Sequence, residues 1–157
     1  MEIAQAFASS KTKPKRSVVF VLFGGEETGL MGSTYFASHL PPQFEKIDTM
    51  FNFDMVGEGD GAGCAVSAEP EELKKVLEEA DKHINTLRRT GLIRGVGIRS
   101  SDYASFYLKG AACISFSSNE SHLHYHLQGD TIYRINPDIM ADIAGPAFLT
   151  GYNWADR

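Results

Sequence analysis

Residues 17–23 read SVVFVLF, a run without charge, rich in β-branched and aromatic side chains and closed by Gly24-Gly25. Seven such residues are too few for a helix and have no polar face to offer water. A run of this kind is predicted to be a strand buried on both faces, which requires a covering layer on each side. The chain supplies those layers. Residues 2–8, EIAQAFA, place Ile3, Ala6 and Phe7 at helical spacing, and Leu30–Leu40 reads as a helix stopped by Pro41-Pro42.

Strand and helix patterns then keep alternating. Ile47–Phe53 is a second expected strand, ending at Asp54; residues 57–63, GEGDGAG, are an expected flexible turn before a short strand at Cys64–Ala68. Pro70 suits the first turn of a long helix, where Glu71 and Glu72 complement the dipole. Leu73, Val76, Leu77, Ala80, Ile84 and Leu87 form its apolar stripe, with Gly91 as the expected stop. A short helix over Ser101–Leu108, a strand over Ala112–Ser117, the polar loop SNESHLHYHLQGDT and a helix from Pro137 to Trp154 complete the order. Alternation of this kind predicts one α/β domain over residues 1–157. Its sheet should be mixed, largely parallel and flanked by helices on both faces.

Composition narrows the function classes. Fifteen basic against twenty acidic residues leave a formal charge of −5, which argues against a nucleic-acid footprint, and the one basic run, KTKPKR at 11–16, reads as a solvated turn. No apolar run approaches the ~18 residues that cross a bilayer. The segment MEIAQAFASSKTK lacks the charged and apolar regions of a signal peptide, so compartment stays open. Cys64 and Cys113 sit in apolar contexts and are expected to be buried free thiols.

The polar residues gather at one place on this scheme. Glu26 and Glu27 follow one expected strand, Asp54 ends the next, and His126 lies in the loop after a third. In open α/β sheets, ligands bind outside the carboxyl ends of strands. Three carboxylates and an imidazole brought together there call for a cation, and oxygen with imidazole donors suits zinc. Read as an extended stretch, HLHYH would also put His122, His124 and His126 on one side. An exposed acidic loop, a strand-end turn and a polar histidine loop are the plain alternatives for the separate elements.

Four segments together resemble the M28 family of zinc aminopeptidases: RSVVFVLFGGEETGLMGSTYF, FNFDMVG, SSDYASFYLKG and YHLQGDT, which in order and spacing span nearly all of residues 2–150. The resemblance implies a mixed sheet between helices and a centre of two zinc ions acting on peptide substrates. By it, Glu26 would be the general base, Glu27 and His126 ligands of one zinc, and Asp54 a ligand of the other. Tyr125 would support the oxyanion of the tetrahedral intermediate. Asp130 resembles a structural carboxylate that supports a ligand, and Asp102 a supporting or pocket residue; a loop turn and a helix N-cap are the competing readings for these two.

The implied chemistry is attack on the N-terminal peptide bond by a zinc-activated water that gives its proton to Glu26. The family pattern also has an upstream His and a bridging Asp, and nothing in this sequence matches them; His39 and His83 lie on expected helices. The expectation is therefore an N-terminally truncated peptidase domain with one zinc or none, little activity by itself, and self-association through an exposed sheet edge. A non-catalytic receptor-type module and a glutaminyl-cyclase-like enzyme are the alternatives.

Overall fold

The computed structural model describes residues 1–59, 66–87, 90–91, 101–118 and 122–157. Its sheet has strands β1 (Thr49–Phe53), β2 (Val66–Glu69), β3 (Thr90–Gly91) and β4 (Ala112–Phe116), in the order β1-β4-β2-β3. β4 pairs parallel with β1, Asn52 lying opposite Ser115, and antiparallel with β2; β2 and β3 run parallel. The sheet is thus mixed, as the alternation of elements predicts. Around it lie the helices α1 (Glu2–Ser9), α2 (Met31–Ser38), α3 (Glu71–Ile84), α4 (Tyr103–Tyr107) and α5 (Pro137–Ala155).

β4 organises the core because it has a partner on each edge and a helical layer on each face. Ile114 and Phe116 are both 0% exposed and pack with Leu73 and Leu77 of α3 and Ile139, Ile143 and Ala147 of α5. Cys113, one position out of phase, joins Ala37 of α2 and Tyr103 and Phe106 of α4 on the other side. That is the period of two expected of a strand covered on both faces.

The long helix α5 contains Pro146, which has no N–H for the carbonyl four residues back, that of Asp142. Thr86 Oγ1 donates to that carbonyl at 2.6 Å and so ties the exit of α3 to the carbonyl that Pro146 leaves without its helical donor. α3 itself ends at Ile84, earlier than the expected stop at Gly91. Asn85 takes the left-handed conformation (φ 58°), and Asp81 Oδ1 accepts from the N–H groups of Thr86 and Leu87 at 3.1 Å each. Leu87 still packs on the core from beyond the helix, while Gly91 belongs to β3. Of the expected strand Cys64–Ala68, residues 64 and 65 lie outside the described residues, as do residues 60–63 of the expected turn.

One expectation fails. Residues 17–23 belong to no strand of the sheet, and residues 17–22 make no backbone hydrogen bond with any described residue. Val18, Val19, Phe20 and Val21 are partly exposed and Leu22 is 92% exposed. The segment is held at its ends: Arg16 N–H donates to Ala155 at 3.0 Å, and the Arg16 guanidinium lies 3.8 Å from Asp48. Phe20 packs edge-on against Phe7 of α1, whereas Phe23 packs against Phe36 and Phe106. Opposite side chains therefore still reach opposite helical layers. The physical reason for the failure is that residue pattern sets where side chains go, whereas a strand also needs a second backbone. β1 has β4 on one edge, and no described residue pairs with its other edge.

Candidate active site

The loop after residue 23 is folded by its own backbone. The carbonyls of Gly24, Gly25 and Glu26 accept from the N–H groups of Gly32, Met31 and Leu30 at 2.9–3.0 Å, and Glu26 accepts from Gly29 as well. Gly25 has φ 71°, and a Cβ at Gly32 would run into the carbonyl of Gly24, so both positions need glycine. The two glutamates thus leave a backbone locked onto the start of α2. Glu27 Oε1 lies 2.6 Å from His126 Nε2, a contact between residues 99 positions apart, with both side chains largely in solvent.

Around this pair the charges run together. Partial burial first, and then the negative charges of Glu27, Asp54 and Asp102, push the Glu26 carboxyl above its ordinary range, while His126 pulls the other way. Desolvation and the charges of Glu27, Glu26 and Asp54 likewise push the Tyr125 hydroxyl up from an ordinary value at which it is already an O–H donor at neutral pH. The Tyr125 ring stacks on that of His126, 3.8 Å between centroids. Glu26, Glu27, Asp54, Asp102, Tyr125 and His126 therefore share one patch. Asp130 joins it by no side-chain contact among the described residues; its N–H donates to Leu127.

Two backbone outliers flank the patch. His126 and Met55, the residue after Asp54, have φ of 58° and 56°. Non-glycine residues are held there only when surrounding contacts over-determine them. Met55 is pinned through its carbonyl, which accepts from Ser118 N–H at 2.9 Å and from Ser118 Oγ at 2.6 Å. HLHYH is a turn, not an extended stretch: Tyr125 N–H donates to His122, and Leu127 N–H to His124. His122 turns away to bond Ser118 Oγ at 3.1 Å, and His124 fills the space that a Cβ on Gly129 would take. Local hydrogen bonds outweigh the alternation, and His126 alone of the three faces the glutamates.

Asp102 opens α4, yet its side chain makes no capping bond. Its Oδ1 is buried and has no partner among the described residues. Residue pattern did not single out Ser101 or Asn52, which bond to one another and hold Asp54. The available signal was the lone amide in TMFNF, a polar side chain on a strand that had to be buried.

Carboxylate oxygens and one imidazole nitrogen are the donors zinc takes, and Glu27 and His126 already converge, so the set fits in kind. Among the described residues, no three His, Cys, Asp or Glu side chains form a closed metal cluster.

A patch of carboxylates, an imidazole and a tyrosine thus gathers beside the carboxyl end of β1 in a layered α/β fold. The sequence pattern of Peptidase family M28 matches residues 1–147, and the chain belongs to that family. It is 31% identical over 122 residues to an aminopeptidase of Pseudomonas aeruginosa, covering 71% of this chain and 22% of that one. It is 39% identical over 61 residues to a probable zinc metalloprotease of Pyrenophora tritici-repentis, covering 39% of this chain and 12% of the relative. The fold is that of the Legionella pneumophila aminopeptidase LapA, with a TM-score of 0.83 at 21% identity, over 99% of this chain and 44% of the other. Porphyromonas gingivalis glutaminyl cyclase shares it with a TM-score of 0.66 at 19% identity, over 98% and 59%. The chain spans less than a third of the length of the two curated relatives.

Proposed function

We propose that this chain carries the general base, one metal-binding half and the oxyanion donor of a zinc-dependent aminopeptidase. The observation that carries the reading is the Glu27–His126 contact, with the raised carboxyl of Glu26 beside it. Glu27 and His126 would hold one zinc and Asp54 would face a second. A bound zinc supplies Lewis-acid polarisation of the scissile carbonyl and lowers the pKa of a coordinated water to about 7.

The chain's own residues do the rest. Glu26 takes the proton of the attacking water and returns it to the leaving amine, a role favoured by a carboxyl held nearer to neutrality. Tyr125, kept protonated, donates its O–H to the oxygen on which charge develops. The acidic patch attracts the ammonium of a free N-terminus, which favours removal of N-terminal residues over internal cleavage. Asp102 lines the substrate side of this patch, and Asp130 supports the loop that carries His126.

By itself the 157-residue polypeptide is expected to bind zinc weakly or at one site and to hydrolyse slowly. Residues 1–157 contain no match to the His and bridging Asp that the family pattern places before this region. The test measures bound zinc and turnover of aminoacyl-nitroanilides for the chain and for Glu26→Gln. Residual turnover lost in Glu26→Gln with zinc retained supports the general-base role. Two tightly held zincs with fast turnover overturn the impaired-chain reading, and zinc binding without hydrolysis by either protein points to a non-catalytic module. Cyclisation of N-terminal glutamine in place of hydrolysis favours the glutaminyl-cyclase-like reading.

The partner at the run 17–22, unpaired among the described residues, is proposed to be a second copy of this chain. Antiparallel pairing of two such runs sets the basic residues 11–16 of one copy toward Glu26 and Glu27 of the other, a complementary arrangement. Light scattering should find a dimer that Val19→Lys dissociates; a monodisperse monomer overturns it.

A further inference from the structure

Behind Asp54 lies a buried polar relay. Ser101 Oγ donates to Asp54 Oδ2 at 2.7 Å, and Asn52 Nδ2 lies 2.8 Å from Ser101 Oγ and 3.3 Å from Ser115 Oγ. Asn52 and Ser101 are each 5% exposed. The chemistry of the three groups gives the relay a direction. A carboxylate only accepts, so the serine hydroxyl must spend its proton on Asp54; its oxygen then accepts, and the amide N–H₂ of Asn52 is the group that can donate to it. An amide oxygen turned toward Ser101 would place two acceptors against each other.

Three elements meet in this relay. Asn52 stands on β1 opposite Ser115 of β4, and Ser101 precedes α4. One amide group bonded to both serines therefore ties the lead-in of α4 to the sheet and fixes where the Ser101 hydroxyl points. The backbone of Asp54 is held independently, by its N–H to the Phe116 carbonyl at 3.1 Å and by the strained, pinned Met55 that follows. With Oδ2 engaged, Oδ1 has no hydrogen bond among the described residues and is the oxygen left to a ligand.

We propose that Asn52 is a positioning residue that acts through Ser101, holding the Asp54 carboxylate in one orientation with Oδ1 presented to a cation. The functional half of this inference rests on the reading of Asp54 as a metal-facing residue. Partners behind a ligand typically change metal affinity about 10–100-fold when removed.

The orientation is read directly in the 157-residue chain from the three-bond couplings that report the Asp54 side-chain rotamer. The wild type should show one rotamer. Ser101→Ala and Asn52→Leu should both show averaging, and Ser101→Thr, which keeps the hydroxyl, should restore the single rotamer. A single rotamer in Ser101→Ala and Asn52→Leu overturns the relay, as does failure of Ser101→Thr to restore it. Should Asn52→Leu not fold, Asn52→Ser removes the same amide with less apolar bulk and is read the same way. Zinc titration of the same proteins separates the two layers of the argument. If Asp54→Ala weakens zinc binding and both relay variants weaken it about 10-fold or more, the relay serves the metal. If Asp54→Ala weakens it and the relay variants do not, the relay's functional role is overturned. If Asp54→Ala changes nothing, the metal-facing reading of Asp54 fails, while the rotamer measurement still decides the relay.

Discussion

β4 and residues 17–23 look alike as sequence and behave differently as structure. ACISF and SVVFVLF are both uncharged, β-branched and aromatic. β4 finds β1 on one edge and β2 on the other, and Ile114 and Phe116 are sealed between two helical layers. The earlier run reaches the same two layers through Phe20 and Phe23, yet finds no backbone partner among the described residues, and its leucine stands in solvent. The difference teaches that burial in a sheet is a property of pairs. A strand's side chains can be satisfied by helices, but its N–H and C=O groups only by another strand or by water.

That contrast can be broken by substitution. Phe116→Ala should cost about 3–5 kcal/mol, the range for deleting a large buried aromatic, whereas Leu22→Ala should stay within about 0.5 kcal/mol. Chemical denaturation of both variants decides, and comparable losses would mean that residues 17–23 are packed as tightly as β4.

Thiol chemistry sharpens it next. Burial pushes the Cys113 thiol up to about 12, so in a Cys64→Ser background it should alkylate on the order of 100-fold more slowly than a thiol placed by Leu22→Cys. Equal rates under native conditions would deny the burial of β4.

The smallest effect lies between the two regions, at Glu26. Its carboxyl is held above the ordinary 4.5, so the folded state prefers it protonated. Its contribution to stability is present below about pH 4.5 and is lost as pH rises through the raised value. Glu26→Gln should remove that shallow slope from a plot of unfolding midpoint against pH, and an unchanged plot would place the slope elsewhere.

How much of this was legible beforehand follows from which features are local. The apolar stripe of α3 and the apolar run of β4 are patterns among neighbours within a few residues, and the glycines around Glu26-Glu27 announce a sharp loop after an apolar run. Their end points moved where side-chain bonds intervened, as Asp81 did in stopping α3 before Gly91. The convergence of Glu27 with His126 and of Ser101 with Asp54 spans 99 and 47 positions. The first follows from placing both residues beyond the ends of expected strands and again from family resemblance; the second does not show in the sequence, because a serine before a helix reads equally well as a cap. Alternation in HLHYH leaves an extended stretch and a polar loop both open, and the turn bonds that select the loop do not show in the residue pattern.

The left-handed backbone at His126 sets protein engineering against function. Glycine would relax that position more readily than any other residue, so a search for sturdier variants should drift toward His126→Gly. The same change would delete the imidazole opposite Glu27. If His126 holds metal as proposed, selection for heat resistance alone would then enrich molecules that bind it poorly, and a screen that scores metal binding alongside endurance would keep the histidine.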